Sequence, residues 1–579
     1  DAADSYSIGV YKSLDGGATW NETGLNPSNT GVNFLANEIT IDPSNSNTIW
    51  VATNSGLMKS IDAGATWSVK QGGNIKDFKL KPGNSNTIYA VSSNQYFKSI
   101  DGNTFIAFTS TLPASSGRLV LGTSAANPAV VYILSANTSA NSYAYQGLFK
   151  STDSGVTFTK TTNTTDIFES NQAWFDLALE VSPTNANELY VGCLNVWKST
   201  NGGTSFIQKN NWSTNNQAYT HADIHSINFF NNKLFVGSDG GVYVSENGGD
   251  SFTDKTSNMA ISQFYRISVA ERNAQKVIGG LQDNGGHIHN GNQWNTYHGG
   301  DGMDNVIDPN NDNLLYGFTQ NGGSLNISTD SGQSIGFVGP PKNADDSDRE
   351  GNWITPLAIS SAGDVYSGFD AVYKLVGNSW EKISNVIGVG NIDDLEVDPN
   401  NSMNIYAIES NGIYRSTNGG ANFSLITSLG SEISDLTINR TNGNILYATT
   451  SKRIGTAESN QTAEADRGVF KITINGNSAT SENITYNLPT NQAFFSIIHQ
   501  GRNTDNPVFV GTSLGVYRID DTLSEWEDYF TNLPSVAIGD LEISLDDEII
   551  TAATYGRGIW QSPIPIKKAD DDIRLTSAS

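Results

Sequence analysis

The chain contains almost no cysteine. Cys193 is the one cysteine among 579 residues, and a lone thiol cannot close an internal disulfide. A disulfide framework and a cysteine-rich module are therefore excluded. Cys193 stands in the strand-like stretch 191–194, where a free thiol is expected to behave as a small core residue.

Basic residues and long apolar runs are scarce as well. There are 33 Lys and Arg against 59 Asp and Glu, and the formal net charge is −26. A surface of this sign repels nucleic acid and anionic membranes. No apolar stretch approaches the roughly 20 residues that span a bilayer. The sequence predicts neither a nucleic-acid partner nor membrane insertion.

Glycine and one short motif are abundant instead. The motif reads Ser-x-Asp-x-Gly-x-Thr-Trp at residues 60–67, and Asn replaces Asp in some copies. An Asp or Asn side chain at this place accepts hydrogen bonds from the following backbone N–H groups, and Gly adopts the left-handed conformation. Each copy predicts a hairpin turn, and every copy except that at Ser328 places an aromatic ring beneath it. The copies begin at Ser13, Ser60, Ser99, Ser151, Ser199, Ser245, Ser328 and Ser416.

The spacing of the copies predicts the architecture. The first six serines recur at intervals of roughly 40 to 50 residues, a period typical of four short strands with their turns. The next two intervals are about twice as long, and each contains a degenerate unit, at 291–294 and 372–380. Similar cues continue to 558–561, so about thirteen units are expected.

This repeat resembles the Asp-box, or BNR, repeat of β-propellers. In that family the box lies on the rim of a blade, which implies a structural role for its Ser, Asp and aromatic residues. The order of motifs at Ser245, 279–286, 299–303 and 552–560 is similar to that of secreted Bacteroidetes proteins with sortilin-like or xyloglucanase-like repeats. The resemblance implies a secreted or cell-surface protein, and a link to type IX secretion through a C-terminal module.

The resulting fold prediction is all-β, with tandem seven-bladed propellers built from four-stranded blades with Asp-box hairpins. Residues 1–258 form the N-terminal propeller, which is truncated at its start because the sequence enters inside a blade. Residues 259–563 form the C-terminal seven-bladed propeller, and residues 564–579 form a linker or tail. A single large ring is the structural alternative.

The candidate binding residues concentrate in the middle of the chain. We expect a polar cleft there, because five of the six histidines fall between positions 221 and 298. If residues 220–225 form a strand, alternate side chains share one face and could offer a metal two imidazoles and a carboxylate. Without strict ligand spacing, a hydrogen-bonded polar lining is favoured and no metal is predicted. The set is His221, Asp223, His225, His287, His289, His298 and Asp301.

A second possible cation site is the loop 308–313, which is rich in Asp and Asn. It has enough oxygen atoms to suggest calcium but lacks the full spacing of a calcium loop. A plain turn is favoured by the turn chemistry, so no cofactor is predicted.

The resemblance to xyloglucanases also points to a catalytic residue. In those relatives a phrase Gly-Asp-x-Gly-Gly-Phe-x-His carries one catalytic Asp, and the similar stretch 282–289 would place Asp283 at that position. Gln282 and His287 depart from the phrase, and the second catalytic carboxylate lies in a first blade that this chain lacks. Glycoside hydrolysis requires two carboxyl groups.

The sequence therefore favours a non-catalytic binding or scaffold module without a complete catalytic set. Its expected ligand is a glycan or a protein on the cell surface, contacted through a cleft between the propellers. The alternative is a xyloglucanase-like glycoside hydrolase that acts on polysaccharide, using Asp283 with a carboxylate such as Asp301 or Asp223.

Overall fold

A computed structural model describes residues 9–31, 34–108, 112–113, 115–451 and 467–567. Within these ranges the chain has 49 strands, one four-residue helix α1 (Pro27–Thr30), and two short 3-10 segments, Ser139–Asn141 and Gln320–Gly322. The prediction of an all-β fold is confirmed. No helix of the described residues is long and apolar enough to cross a bilayer.

The chain divides into two compact units, residues 3–259 and residues 260–579, called unit 1 and unit 2. In both units almost every sheet has four consecutive antiparallel strands in the order of the sequence. The predicted incomplete start of the first blade falls partly on residues 1–8, and most of the predicted tail on residues 568–579. Both ranges lie outside the described residues, so these points stay predictions.

Unit 1 contains a two-stranded sheet followed by five four-stranded sheets in the described part of the chain. The strands are β1 (Tyr11–Lys12), β2 (Asn21–Glu22); β3 (Ala36–Ile41), β4 (Ile49–Thr53), β5 (Gly56–Ser60), β6 (Ser68–Gly72); β7 (Asp77–Lys81), β8 (Asn84–Val91), β9 (Tyr96–Ser99), β10 (Ile106–Phe108); β11 (Arg118–Thr123), β12 (Val131–Ala136), β13 (Tyr145–Ser151), β14 (Thr159–Lys160); β15 (Ala178–Val181), β16 (Leu189–Gly192), β17 (Val196–Ser199), β18 (Ile207–Gln208); β19 (Ile224–Phe230), β20 (Lys233–Ser238), β21 (Gly241–Ser245), β22 (Thr253–Asp254).

Unit 2 contains six four-stranded sheets followed by a three-stranded sheet in the described part of the chain. The strands are β23 (Phe264–Ala270), β24 (Asn273–Leu281), β25 (Gly285–Asn290), β26 (Trp294–His298); β27 (Gly302–Asp308), β28 (Asn311–Thr319), β29 (Leu325–Ser328), β30 (Gly336–Val338); β31 (Leu357–Ile359), β32 (Val365–Gly368), β33 (Val372–Val376), β34 (Ser379–Lys382); β35 (Asp394–Val397), β36 (Ile405–Glu409), β37 (Gly412–Ser416), β38 (Ser424–Ser428); β39 (Ile433–Ile438), β40 (Ile445–Thr450), β41 (Gly468–Asn475), β42 (Ser478–Asn483); β43 (Phe494–His499), β44 (Val508–Thr512), β45 (Val516–Ile519), β46 (Glu527–Asp528); β47 (Ile538–Ser544), β48 (Ile549–Thr554), β49 (Ile559–Pro563).

Burial changes across each sheet in a way that explains the strand sequences. In several sheets the second strand is buried along its whole length, as in β4, where all five residues from Ile49 to Thr53 are buried. A continuous apolar strand is expected where both faces of a sheet are covered by neighbouring sheets. The fourth strand, such as β6, is mostly exposed. Each core therefore lies between two adjacent sheets.

The first strands of the sheets in unit 2 contact one another in sequence order, from β23 to β47. Strand β47 of the last sheet also contacts β23 of the first sheet. The contact includes hydrogen bonds from Ile267 N to Asp540 Oδ2 at 2.9 Å and from Arg266 to the carbonyl of Gly539 at 2.6 Å. Each of the seven sheets of unit 2 thus contacts the next, and the last sheet contacts the first.

The repeated motif forms the turn between the third and fourth strands, as its chemistry predicts. In the copy at Ser60, the backbone N–H of Thr66 donates to Asp62 Oδ1 at 2.8 Å and that of Gly64 donates to Ser60 Oγ at 2.8 Å. Gly64 has φ +96°, which favours glycine. The Asn201 copy makes equivalent bonds.

The antiparallel order places two kinds of loop at one end of every four-stranded sheet. Turns between second and third strands share an end with the connections that leave the fourth strand for the next sheet. We call this end of each unit its loop face. The box turns lie at the opposite end, away from the candidate residues described next.

Candidate functional site

The loop face of unit 2 carries the turn 282–284, which joins β24 to β25. Asp283 has φ +56°, a left-handed conformation that Asp tolerates better than most residues. Its backbone N–H donates to Asp301 Oδ1 at 2.6 Å. The structure thus brings together two predicted residues from different loops, and Asp301 caps the turn.

Asp301 is held in place by the next sheet. Its N–H donates to Gln320 Oε1 at 3.1 Å, and the Gln320 N–H donates to the carbonyl oxygen of Asp301 at 3.1 Å. Gln320 belongs to the turn between β28 and β29. Reciprocal bonds of this kind fix the connection between two neighbouring sheets, and with it the turn that carries Asp283.

Two tyrosines converge on the same turn. The hydroxyls of Tyr265 and Tyr555 both donate to Gln282 Oε1, and the two rings lie 5.5 Å apart. Tyr265 is fully buried, and burial raises its pKa far above the usual range, so the phenol stays neutral. Trp353, which is 37% exposed, is a further hydrogen-bonding neighbour of the Tyr265 hydroxyl. The face therefore combines a fixed amide, two phenols and an exposed indole.

The three histidines predicted in unit 2 occupy different places. His298 is buried at the end of β26, and His287 is half-buried on β25 with its Nε2 2.9 Å from Thr296 Oγ1. Burial lowers the pKa of both, to about 4 for His287, so both imidazoles are neutral at pH 7. The ring of His289 packs against that of Trp294 at 5.1 Å, with the two planes tilted by 41°. It lies four residues beyond Gly285, about 13 Å along an extended strand.

The candidates of unit 1 lie on its own loop face. The expected strand over 220–225 is wrong, because β19 begins only at Ile224 and Asp223 has φ +60°, a value that strands do not adopt. The period-two argument therefore does not apply to His221 and Asp223. The charges of His221 and His225 nevertheless act on the Asp223 carboxyl, whose pKa is raised chiefly by burial.

His225 is the predicted residue with the clearest partner. Its Nε2 lies 2.6 Å from Asp239 Oδ1, and its ring packs against the ring of Phe175 at 4.7 Å. Asp239 stands in the turn between β20 and β21, and Phe175 in the connection that leads to β15. Two loops of the face thus meet at the imidazole of His225, which lies at the start of β19.

Among the described residues, no group of three or more His, Cys, Asp or Glu side chains is placed to hold a metal ion. In the loop 308–313, Asp308 Oδ1 accepts the N–H of Asn310 at 2.7 Å, as in an ordinary Asx turn.

Sequence reasoning missed several residues of these faces. Tyr265, Gln320 and Trp353 carry no motif that distinguishes them from strand or loop residues. Tyr555 lies 273 residues after Gln282 in the sequence, yet its hydroxyl donates to Gln282 Oε1. Tyr555 reaches Gln282 through the contact between the first and last sheets of unit 2.

No protein-family model and no curated protein matches the chain. Solved structures with a similar fold include a GH74 enzyme from Niastella koreensis, with TM-score 0.62 and 19% identity, covering 95% of this chain and 86% of that one. The GH74 xyloglucanase from Xanthomonas campestris gives TM-score 0.60 and 14% identity, covering 92% and 83%. At such identities the likeness concerns the fold, which is a β-propeller fold, and not the activity.

Proposed function

We propose that the protein is a secreted or cell-surface β-propeller module that binds a glycan or a protein without cleaving it. The supporting observation is the bond from the Asp283 N–H to the Asp301 carboxylate at 2.6 Å. A carboxylate that caps a backbone turn serves to shape the loop face. A hydrolase would instead need two carboxyl groups about 5 to 10 Å apart with a sugar between them.

The architecture proposed with this function is a seven-bladed ring in unit 2 and an incomplete ring in unit 1, with Asp-box hairpins at the turns. The seven-bladed ring is supported by the contacts of each sheet of unit 2 with the next and of the last sheet with the first. The buried box serines support a structural role for the boxes. Secretion is inferred from the resemblance to secreted Bacteroidetes proteins with the same order of motifs.

The proposed contact surface is the part of the unit 2 loop face around Gln282. Binding surfaces typically combine aromatic groups with a few fixed polar groups. Tyr265 and Tyr555 both donate to Gln282 Oε1, which fixes the amide, and Trp353 offers an exposed ring nearby. Since these groups are held before any ligand arrives, little conformational entropy is lost on binding.

Titration calorimetry with soluble xyloglucan tests the surface. Gln282→Ala removes the acceptor of two tyrosines, and we expect it to weaken binding by about tenfold or more. Gln275→Ala is a matched control in the same strand pair, at the opposite end, where Gln275 bonds to Gln561 at 3.1 Å. Equal affinities for both variants and the wild type would show that the surface lies elsewhere.

The second candidate function is a xyloglucanase-like hydrolase. It is favoured by the fold shared with the GH74 enzymes and by the position of Asp283 on a loop face. It requires a partner carboxyl group other than a turn cap, and it predicts sugar release that depends on Asp283.

A further inference from the structure

The loop face of unit 1 contains a fully buried carboxyl group that the proposed function does not use. Asp176 is 0% exposed and ends the short turn 172–176, in which its N–H donates to the carbonyl of Gln172 at 3.1 Å. The same turn carries Trp174 and Phe175, which are 40% and 37% exposed. A buried acid and two exposed aromatic side chains thus share one short turn.

Asp176 packs against the segments that enter and leave neighbouring strands. Its Oδ2 accepts a weak hydrogen bond from Cys193 Sγ at 3.6 Å, and the Cys193 carbonyl accepts the N–H of Ile224 at 2.6 Å. Asp223, the residue before Ile224, donates its N–H to the carbonyl of Leu194 at 3.3 Å. The turn 172–176 and the start of β19 are therefore both held to the hairpin around Cys193.

Two carboxylate oxygens in this cluster have unmet hydrogen-bonding capacity. Oδ1 of Asp176 and Oδ1 of Asp223 are buried, and neither has a hydrogen-bond partner among the described residues. Two neighbouring carboxylates repel each other when both are ionised, whereas one proton between them removes the repulsion and supplies a donor. A shared proton would therefore satisfy both oxygens.

Charged groups from several adjoining segments act on the carboxyl groups of Asp176 and Asp223. Arg118 on β11 donates to the carbonyl of Phe175 at 2.5 Å, and its charge acts on Asp176. His225 acts on both carboxyl groups, while His221 and Asp239 act on Asp223. The Cys193 thiol is buried and neutral, since burial raises its pKa. One guanidinium and the imidazoles thus face three carboxyl groups.

We propose that Asp176 and Asp223 share one proton, and that this proton holds the turn bearing Trp174 and Phe175 against the start of β19. Loss of the proton leaves two adjacent carboxylates, and the turn separates from the hairpin at Cys193. The loop face of unit 1 would then present its two aromatic residues differently in acidic and in neutral surroundings.

The pH range follows from the direction of the shift. Burial first, and the Asp223 charge second, raise the pKa of Asp176 to about 7. In an opened turn it would return towards the ordinary value of about 4. Between about pH 4 and pH 7, Asp176 is therefore protonated in the closed turn and ionised in the opened turn. Opening becomes about tenfold easier per pH unit from pH 5 to 7, and then levels off.

The single cysteine is a built-in probe of this opening, because its thiol contacts Asp176 directly. The measurement is the rate of Cys193 modification by a soluble disulfide reagent, divided by the rate of an unfolded peptide with the same sequence at the same pH. This ratio removes the titration of the thiol itself. In the wild type we expect it to rise about a hundredfold from pH 5 to 7 and to stay level to pH 8.

The variants separate the carboxyl pair from the histidines. Asp176→Asn keeps His221 and His225 but cannot lose a proton, so its ratio should not change with pH. Asp223→Asn removes the neighbouring charge, so its rise should end at a lower pH. Asp153→Asn, a box substitution that resembles the natural Asn201 copy, is the matched control and should follow the wild type.

Hydrogen exchange of the segment 161–177 provides a second measurement on the same proteins. In the wild type and in Asp153→Asn, but not in Asp176→Asn, it should show faster exchange at pH 7 than at pH 5, after correction for the intrinsic pH dependence. If Asp176→Asn keeps the pH dependence of the wild type, the histidines are responsible and the proposal is overturned. If Asp176→Asn does not fold, an Asp223→Asn curve identical to that of the wild type overturns it equally.

Discussion

Asp540 Oδ2, in the last sheet of unit 2, accepts the backbone N–H of Ile267, in the first sheet, at 2.9 Å. The same carboxylate provides a favourable charge for the buried guanidinium of Arg266. Equivalent bonds join other neighbouring sheets, from Leu357 N to Asp304 and from Ile497 N to Asp435. Aspartates on the first strands are thus a recurring link between sheets, and Asp540 is one of the links between the first and last sheets of unit 2.

Removing this link should destabilise unit 2. Asp540→Ala leaves the Ile267 N–H without its acceptor and Arg266 without its nearest counter-charge, and we expect a loss of about 3–5 kcal/mol in the free energy of unfolding. Denaturant unfolding measures it. Asp546→Ala is the control, because Asp546 pairs with Arg502 on the surface at 2.5 Å and should cost under about 1 kcal/mol. Similar losses in both variants would contradict the assigned role of Asp540.

The box aromatics provide a test of their structural role. Phe158 is 7% exposed and its ring lies 5.1 Å from that of Tyr96, so Phe158→Ala should cost about 3–5 kcal/mol. Trp20 holds the same place in the first copy but is 60% exposed, and Trp20→Ala should change stability by about 0.5 kcal/mol or less. Thermal unfolding compares the two. A small effect at Phe158 combined with lost ligand binding would assign the boxes to ligand contact.

The first-strand aspartates also predict a pH dependence. Burial raises the pKa of Asp304 to about 7, against an ordinary value of about 4, although Arg266 opposes the shift. Because the folded pKa is raised, the stability linked to this proton is present below pH 4 and is lost as the pH rises to 7. An Asn side chain has no proton to lose in this range. The stability of Asp304→Asn relative to the wild type should therefore rise from pH 4 to 7 and then level off.

The control for this pH series is Asp62→Asn at an exposed box. Hydrogen bonds from Thr66 lower the pKa of Asp62 to about 2. Its linked stability is therefore present above pH 4 and is lost only in stronger acid, so the difference from the wild type should be constant from pH 4 to 8. Unfolding free energies at matched ionic strength decide the comparison. A constant difference for Asp304→Asn as well would mean that Asp304 titrates normally.

Much of the fold followed from local sequence, and much of the site did not. The turn chemistry of Ser60, Asp62 and Gly64 is contained within a few residues, so the repeated motif predicts its own hydrogen bonds. The prediction of a strand over 220–225 is wrong because Asp223 has a left-handed backbone conformation, and β19 begins only after it. Alternation of residue types does not reveal such a backbone change.

The contacts around Gln282 depend on long-range packing. Tyr555 reaches Gln282 only because the last sheet contacts the first, and the buried Asp176 is recognisable only once the turn 172–176 lies over Cys193. No spacing in the sequence contains this information. The motif that pointed to Asp283 did not reveal that Asp301 accepts the Asp283 N–H, since Asp301 comes from a different loop.

The most direct test of the central claim, binding without cleavage, is chromatography of xyloglucan after prolonged incubation with the purified protein. The account predicts an unchanged polymer size and no new reducing ends, with identical traces for the wild type and Asp283→Asn. Release of oligosaccharides by the wild type that Asp283→Asn abolishes would contradict the account and establish a glycoside hydrolase.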